Sequence, residues 1–147
     1  MSVLFYWKGE NYIPDMTVGK SYHLNQSSEL IIKLKTGDHI WAFTRINGIY
    51  ILAVDLLVQN TQHNPPGYKY GTYRALGDRQ RTRYFDVYQG LDVEPEIRKI
   101  FPQAPSSTKS GKRVGLGSFF QGLNGVRVID STDEQHLIDF SRSLPTI

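Results

Sequence analysis

Short blocks of apolar and polar residues, separated by turn formers, run along the chain, and their spacing predicts mostly strands. Residues 2–8 (SVLFYWK) are rich in Val, Phe, Tyr and Trp and predict a first strand. Residues 11–25 carry Pro14, Gly19 and several polar side chains, which predicts a loop with a helical turn at 14–18. Ser27 or Ser28 is placed to cap a short helix over the following Glu-Leu-Ile-Ile-Lys-Leu-Lys. A turn at 36–38 leads into a strand at 39–45, with Ile40, Ala42 and Thr44 on one face and Trp41 and Phe43 on the other. Asn47 and Gly48 then form a two-residue hairpin signal. Residues 49–58 are the antiparallel partner, and being apolar on both faces they predict a central, buried strand.

The second half is more interrupted. Residues 60–68 contain Pro65, Pro66 and Gly67 and predict a loop long enough to carry function. Residues 82–88 (TRYFDVY) predict a further strand. Asp92 can cap a helix through Phe101, because Val93, Ile97, Ile100 and Phe101 recur at helical spacing. Residues 102–113 are rich in Pro, Ser and Lys and predict a loop, and residues 116–121 predict an extended segment. The final helix opens on Ser131 and Glu134 as a capping box and lines one face with Leu137, Phe140 and Leu144. Five or six strands with short peripheral helices predict an α+β chain built as a small mixed β-barrel.

Composition narrows the setting. At 147 residues the chain fits one domain, 1–147. It has no Cys, which removes disulfide frameworks, thiolate zinc sites and cysteine nucleophiles, and fits a reducing cytoplasm. The longest apolar stretch, residues 48–58, is 11 residues and contains Asp55, against about 20 needed to span a bilayer. The first residues lack the basic and small-residue features of a signal peptide, so the expected protein is cytoplasmic and unattached to a membrane.

Charge points to a partner. The net charge is +3, but residues 1–60 balance at five basic and five acidic side chains. Residues 61–120 carry ten basic against five acidic, and residues 121–147 two against four. The densest basic stretch is 69–83, with Lys69, Arg74, Arg79, Arg81 and Arg83 against Asp78; Lys112 and Arg113, with Lys109, form a second cluster. An extended 79–83 segment would project Arg79, Arg81 and Arg83 to one face. Tyr68, Tyr70 and Tyr73 interleave with Lys69 and Arg74, a mixture suited to phosphate contacts and base stacking.

Catalytic patterns fail. The four His (His23, His39, His63, His136) show no metal-ligand spacing, so no metal and no cofactor are expected. Gly111-Lys112 is followed by Arg113, not Ser or Thr, and lacks the earlier Gly of a P-loop; Phe120 stands where a dinucleotide loop needs Gly. Glu96-Ile97-Arg98-Lys99 misplaces the Lys of a nuclease pattern, and no Gly-x-Ser-x-Gly elbow exists. No catalytic residue is nominated. What remains is aromatic residues meeting polar ones where the backbone turns: Trp7 after the first strand, Tyr22 beside His23, and Ser118-Phe119-Phe120-Gln121. These suit a pocket that stacks a flat ligand, although Trp7, Phe119 and Phe120 fit core positions equally well.

Four segments in order resemble the EVE domain of the PUA-like superfamily, a group related to ASCH and YTH domains. They are Phe5-Tyr6-Trp7, residues 34–43 (LKTGDHIWAF), residues 48–54 (GIYILAV), and residues 118–122 (SFFQG) followed by 128–138 (VIDSTDEQHLI). The family's Trp-x-Gly-Val-Arg segment would fall near 18–23, where Tyr22 stands for the missing Trp, and residues 123–127 are an addition. The resemblance implies a PUA-like barrel that binds DNA or RNA without catalysis and takes a flipped modified base into a pocket. Trp7, Tyr22 and Phe119 would line that pocket, and Ser118 and Gln121 would hydrogen-bond the base edge. Lys69, Arg74, Arg79, Arg81, Arg83, Lys112 and Arg113 would meet the backbone. A nuclease or restriction system is the kind of partner implied, and an ASCH-like metabolite binder or small enzyme is the alternative on the same barrel.

Overall fold

The computed structural model describes residues 1–104, 108–109, 112–113, 115–121 and 125–147, with backbone alone at 108–109 and 112–113. In chain order the elements are β1 (Ser2–Tyr6), α1 (Gly9–Val18), β2 (His23–Gln26), β3 (His39–Ile46), β4 (Ile49–His63), β5 (Tyr73–Gly77) and β6 (Arg83–Tyr84). They continue with α2 (Glu94–Ile100), β7 (Thr108–Lys109), β8 (Lys112–Arg113), α3 (Leu116–Phe119), β9 (Val126–Ile129) and α4 (Ser131–Ser141).

Seven strands form one sheet along the path β2-β5-β4-β3-β1-β9, with β6 also paired to β4; β7 and β8 form a separate hairpin. The chain is thus α+β as expected, with more strands in its sheet than the five or six read from the sequence. The sheet is not closed, because β2 and β9 are its two ends. β1 inserts parallel to β3 and takes β9 on its other side, a pairing between distant segments that no local turn announces.

β3 and β4 form the expected hairpin. Asn47 (φ 52°) and Gly48 (φ 81°) both lie in the left-handed region, as a two-residue turn matching the sheet twist requires. β4 runs past residue 58 to His63, and its second half pairs with β5 after an irregularity between Val58 and Asn60. That break lets one strand pair with β3 and β6 along its first half and with β5 along its second.

Each sheet face is buried. Leu4, Trp41, Phe43, Leu52 and Phe85 pack with Ile97 and Ile100 of α2 and with Leu137 of α4. On the opposite face Val3, Phe5, Ile40, Ala42, Val54, Leu56 and Ala75 pack with Ile31 and Leu34. Each buried Val, Leu, Ile or Phe among them contributes about 1.5–3 kcal/mol when removed from water, so the alternation along β3 and β4 fixes the register.

Several local expectations change. The first half of the 11–25 loop is instead part of a ten-residue helix, α1, despite Pro14 inside it. Tyr12 is buried and anchors that helix, so tertiary packing outweighs the amide donor that Pro lacks. Residues 28–34 form separate turns rather than a helix, and the turns seat Ile31 and Leu34 against the sheet. The 82–88 strand stops at Tyr84 because the chain end takes over: Asp86 N donates to the Pro145 carbonyl, and Ile147 N to the Tyr84 carbonyl. Residues 116–119 are helical, not extended. α4 is capped one residue early, by Asp130, whose Oδ1 accepts the Asp133 amide at 2.7 Å.

Candidate functional site

A groove of about 740 Å³ opens on the sheet face that carries Phe5, Ile40, Val54 and Leu56. Phe5, Ile40, Val54 and Leu56 form its apolar floor, and Trp7, Lys8, Asp15, residues 23–26, Tyr68, Tyr70 and Tyr84 are among the residues around it. Trp7 follows β1, which it extends by donating its amide to the Phe43 carbonyl at 2.8 Å. Its half-buried indole meets Tyr12 edge-on at 5.0 Å, and its Nε1 donates to Asp15 Oδ2 at 3.1 Å. The carboxylate therefore sits fixed in the groove, where it disfavours a phosphate and accepts hydrogen bonds. Burial pushes the Tyr12 and Tyr84 phenols up to about 12, so both stay protonated, and the Tyr84 hydroxyl donates to the Ser21 carbonyl.

The rim is cross-braced. Asn64 Nδ2 donates to Asn25 Oδ1 at 3.0 Å and to the Gly71 carbonyl at 2.9 Å. Arg74 Nε donates to the same Asn25 oxygen at 2.9 Å, and its NH2 to the Tyr68 hydroxyl at 3.1 Å. Gly71 is required here: at φ 139° a Cβ would stand 2.7–2.9 Å from the Gln26 backbone. Cations lie on rings at three places: Lys69 over Tyr70 at 4.7 Å, Arg74 over Tyr68 at 5.6 Å, and Arg79 over Tyr22 at 5.3 Å. Burial and the nearby Arg74 hold His23 below the usual imidazole range, so it adds no charge at neutral pH.

Of the nominated pocket residues, Trp7 lines the groove, and Tyr22 stands beside it, edge-on to Tyr84 at 6.2 Å. Ser118, Phe119 and Gln121 are not brought there. Phe119 packs on the helix-covered face with Phe101 and Phe120, under the Arg127 guanidinium 3.4 Å from its ring centre. The Ser118 hydroxyl donates to the Gly115 carbonyl at 2.8 Å, and Gln121 is exposed.

The nominated cations also divide. Asp78 Oδ1 accepts the amides of Gln80 and Arg81 at 2.8 and 3.0 Å, folding the segment into a turn. Arg79, Arg81 and Arg83 consequently do not share a face. Lys69, Arg79 and Arg81 are exposed, Arg74 is braced as above, and the Lys112 and Arg113 side chains lie outside the described residues.

Arg83 belongs to a constellation that sequence reasoning missed. Asp55 is buried, and it receives Arg83 NH2 at 2.8 Å and His39 Nδ1 at 2.5 Å. Arg83 NH2 also donates to Ser141 Oγ at 3.0 Å, and Trp41 Nε1 donates to Glu134 Oε2 at 2.7 Å. The hydrogen bond to Asp55 raises the His39 pKa despite burial and the adjacent Arg83. The Ser141 hydroxyl is bound to Arg83 and the Ile138 carbonyl rather than to the imidazole, so the geometry is a clasp between sheet and α4, not a nucleophile–base pair. One signal was available: a lone carboxylate inside the apolar run 48–58 must find a cationic partner if that run is buried.

Among the described residues no group of three or more His, Asp or Glu is arranged to hold a metal, and no helix is long and apolar enough to cross a membrane. Compared with known proteins, the chain matches no protein-family model and no curated protein sequence.

Proposed function

We propose that the chain is a non-catalytic module that binds nucleic acid and takes one unstacked base, a modified one on the resemblance to EVE domains, into the Trp7 groove. The observation that carries this reading is the charge arrangement: an aromatic groove holding a fixed carboxylate, with tyrosine–cation pairs along its edge. A base is flat and hydrogen-bonds along its edge, which suits Trp7 and Asp15; its phosphates suit Lys69, Arg79 and Arg81. Arg83, held by Asp55, is left out of this interface. A PUA-like barrel with an open seam is the fold reading that accompanies it, supported by the seven-stranded mixed sheet in which β4 pairs with β3, β5 and β6. A free nucleoside or similar metabolite is a second reading, favoured by a groove volume within the range of small-molecule pockets.

The test is fluorescence anisotropy at low ionic strength with short oligonucleotides bearing plain and modified bases. Saturable binding that weakens with salt is expected. Trp7→Ala should lose the stacking contribution of about 1–3 kcal/mol, a 5- to 150-fold weakening, while circular dichroism shows the sheet retained. If no oligonucleotide binds but mononucleosides do, the metabolite reading replaces this one.

A further inference from the structure

The loop between β4 and β5 carries a second aromatic surface, Tyr68 and Tyr70, at the edge of the groove away from Trp7. Tyr70 is 61 % exposed and meets Tyr68 edge-on at 5.6 Å, with a cation on each ring. These rings are held rather than loosely displayed. Asn64 ties the loop to Asn25 of β2 and to the Gly71 carbonyl, Arg74 grips the Tyr68 hydroxyl, and Gly71 lies flat on the Gln26 backbone. A braced aromatic pair at the mouth of a groove, each ring beside a positive charge, is matched by a flat ring followed closely by a negative charge. That is the repeat of a nucleotide chain: a base for Tyr70 and its phosphate for Lys69.

Resting on the groove reading, we infer that this loop is a second nucleotide subsite and that the occupant is single-stranded. In a duplex the neighbours of an extruded base stay paired and stacked, with their faces closed to Tyr70. In a single strand the next base is free to leave its neighbours and stack on the loop, and the bound unit becomes at least two nucleotides. Discrimination then comes from strandedness and length, with Asp15 in the groove and Lys69 at the loop keeping base and phosphate in register.

The experiment compares mononucleotide, dinucleotide and longer single-stranded and duplex ligands of one sequence, using the full chain and its Tyr70→Ala, Lys69→Gln and Trp7→Ala variants. Expected is an affinity gain of at least about fivefold from one nucleotide to two, lost in Tyr70→Ala, and a clear preference for the single strand. Lys69→Gln should reduce the salt slope by about 0.7, whereas Tyr70→Ala leaves that slope unchanged. Should Trp7-dependent binding persist while Tyr70→Ala and Lys69→Gln behave as wild type, or duplex bind as well as single strand, the second subsite is overturned and the groove reading stands. Should no ligand bind, or Trp7→Ala bind as wild type, the groove reading falls and the subsite with it. Tyr70 is exposed, so its variant is expected to fold; Gly71→Ala, which must displace the loop from Gln26, should reproduce the same loss without removing the ring.

Discussion

The two faces of the sheet use the same residue types to opposite ends. On the helix-covered face Arg83 lies near Trp41 and Phe85, and the buried carboxylate of Asp55 takes up its charge. On the groove side Arg79 lies over Tyr22 and Lys69 over Tyr70, both exposed. The two histidines repeat the contrast: the bond to Asp55 raises His39, whereas burial and Arg74 lower His23. Where a carboxylate is buried with the cation, the aromatic–cation pair holds the fold together. Where Lys69 and Arg79 lack such a carboxylate, their pairs face outward and are available to a ligand.

The comparison can be broken most forcefully at Asp55. Asp55→Ala leaves the Arg83 charge over an apolar face and His39 without its partner, and should destabilise the protein by about 3 kcal/mol, the low end for a broken buried pair. That low end applies because the Arg83 and His39 side chains are 37 % and 30 % exposed. Denaturant titration measures this loss, and oligonucleotide affinity under native conditions should stay near wild type; a folded variant that no longer binds would show that the faces are not separate.

A sharper version uses the two arginines four positions apart. Arg83→Gln should lower stability and leave the salt slope of binding alone. Arg79→Gln should change stability by less than about 0.5 kcal/mol, as exposed substitutions usually do, and should reduce the salt slope by about 0.7–0.9. Equal slopes for the two variants would contradict the division.

The smallest effect is proton-linked. Because His39 titrates above its unfolded value of 6.5, its bond to Asp55 stabilises fully below that pH and is lost as pH rises through the raised folded value. Glu134 favours the charged imidazole and Arg83 opposes it. The stability advantage of wild type over His39→Gln should therefore hold at acid pH and shrink as pH rises above about 6.5, read from denaturation midpoints. An advantage that grows with pH would reverse the assignment.

Local signals told the truth where local physics decides. Asn47-Gly48, the alternation of β3 and the apolar run of β4 predicted the central hairpin, because turn geometry and a period of two suffice for it. The parallel β1–β3 pairing was illegible, since it joins segments more than thirty residues apart with no turn between them. α1 was read mostly as loop because Pro14 and Gly19 dominate locally, while the burial of Tyr12 that rescues it is a tertiary fact. The alternation of Arg79, Arg81 and Arg83 misled because Asp78 bends that segment into a turn. For the candidate site, Trp7 and the Tyr–Lys/Arg interleaving at 68–74 were readable. Asp15, Asn25 and Asn64 were not, because polar residues in loops acquire meaning only when a groove assembles around them.

The claim that a base stacks on Trp7 has a direct optical test, since the chain has two tryptophans and Trp41 is fully buried. Titration of the wild-type protein with a single-stranded oligonucleotide at low salt should quench tryptophan emission saturably, with the same midpoint as anisotropy, and the quenching should vanish in Trp7→Phe. Binding by anisotropy with no change in Trp7 emission, or equal quenching in Trp7→Phe, would contradict the account.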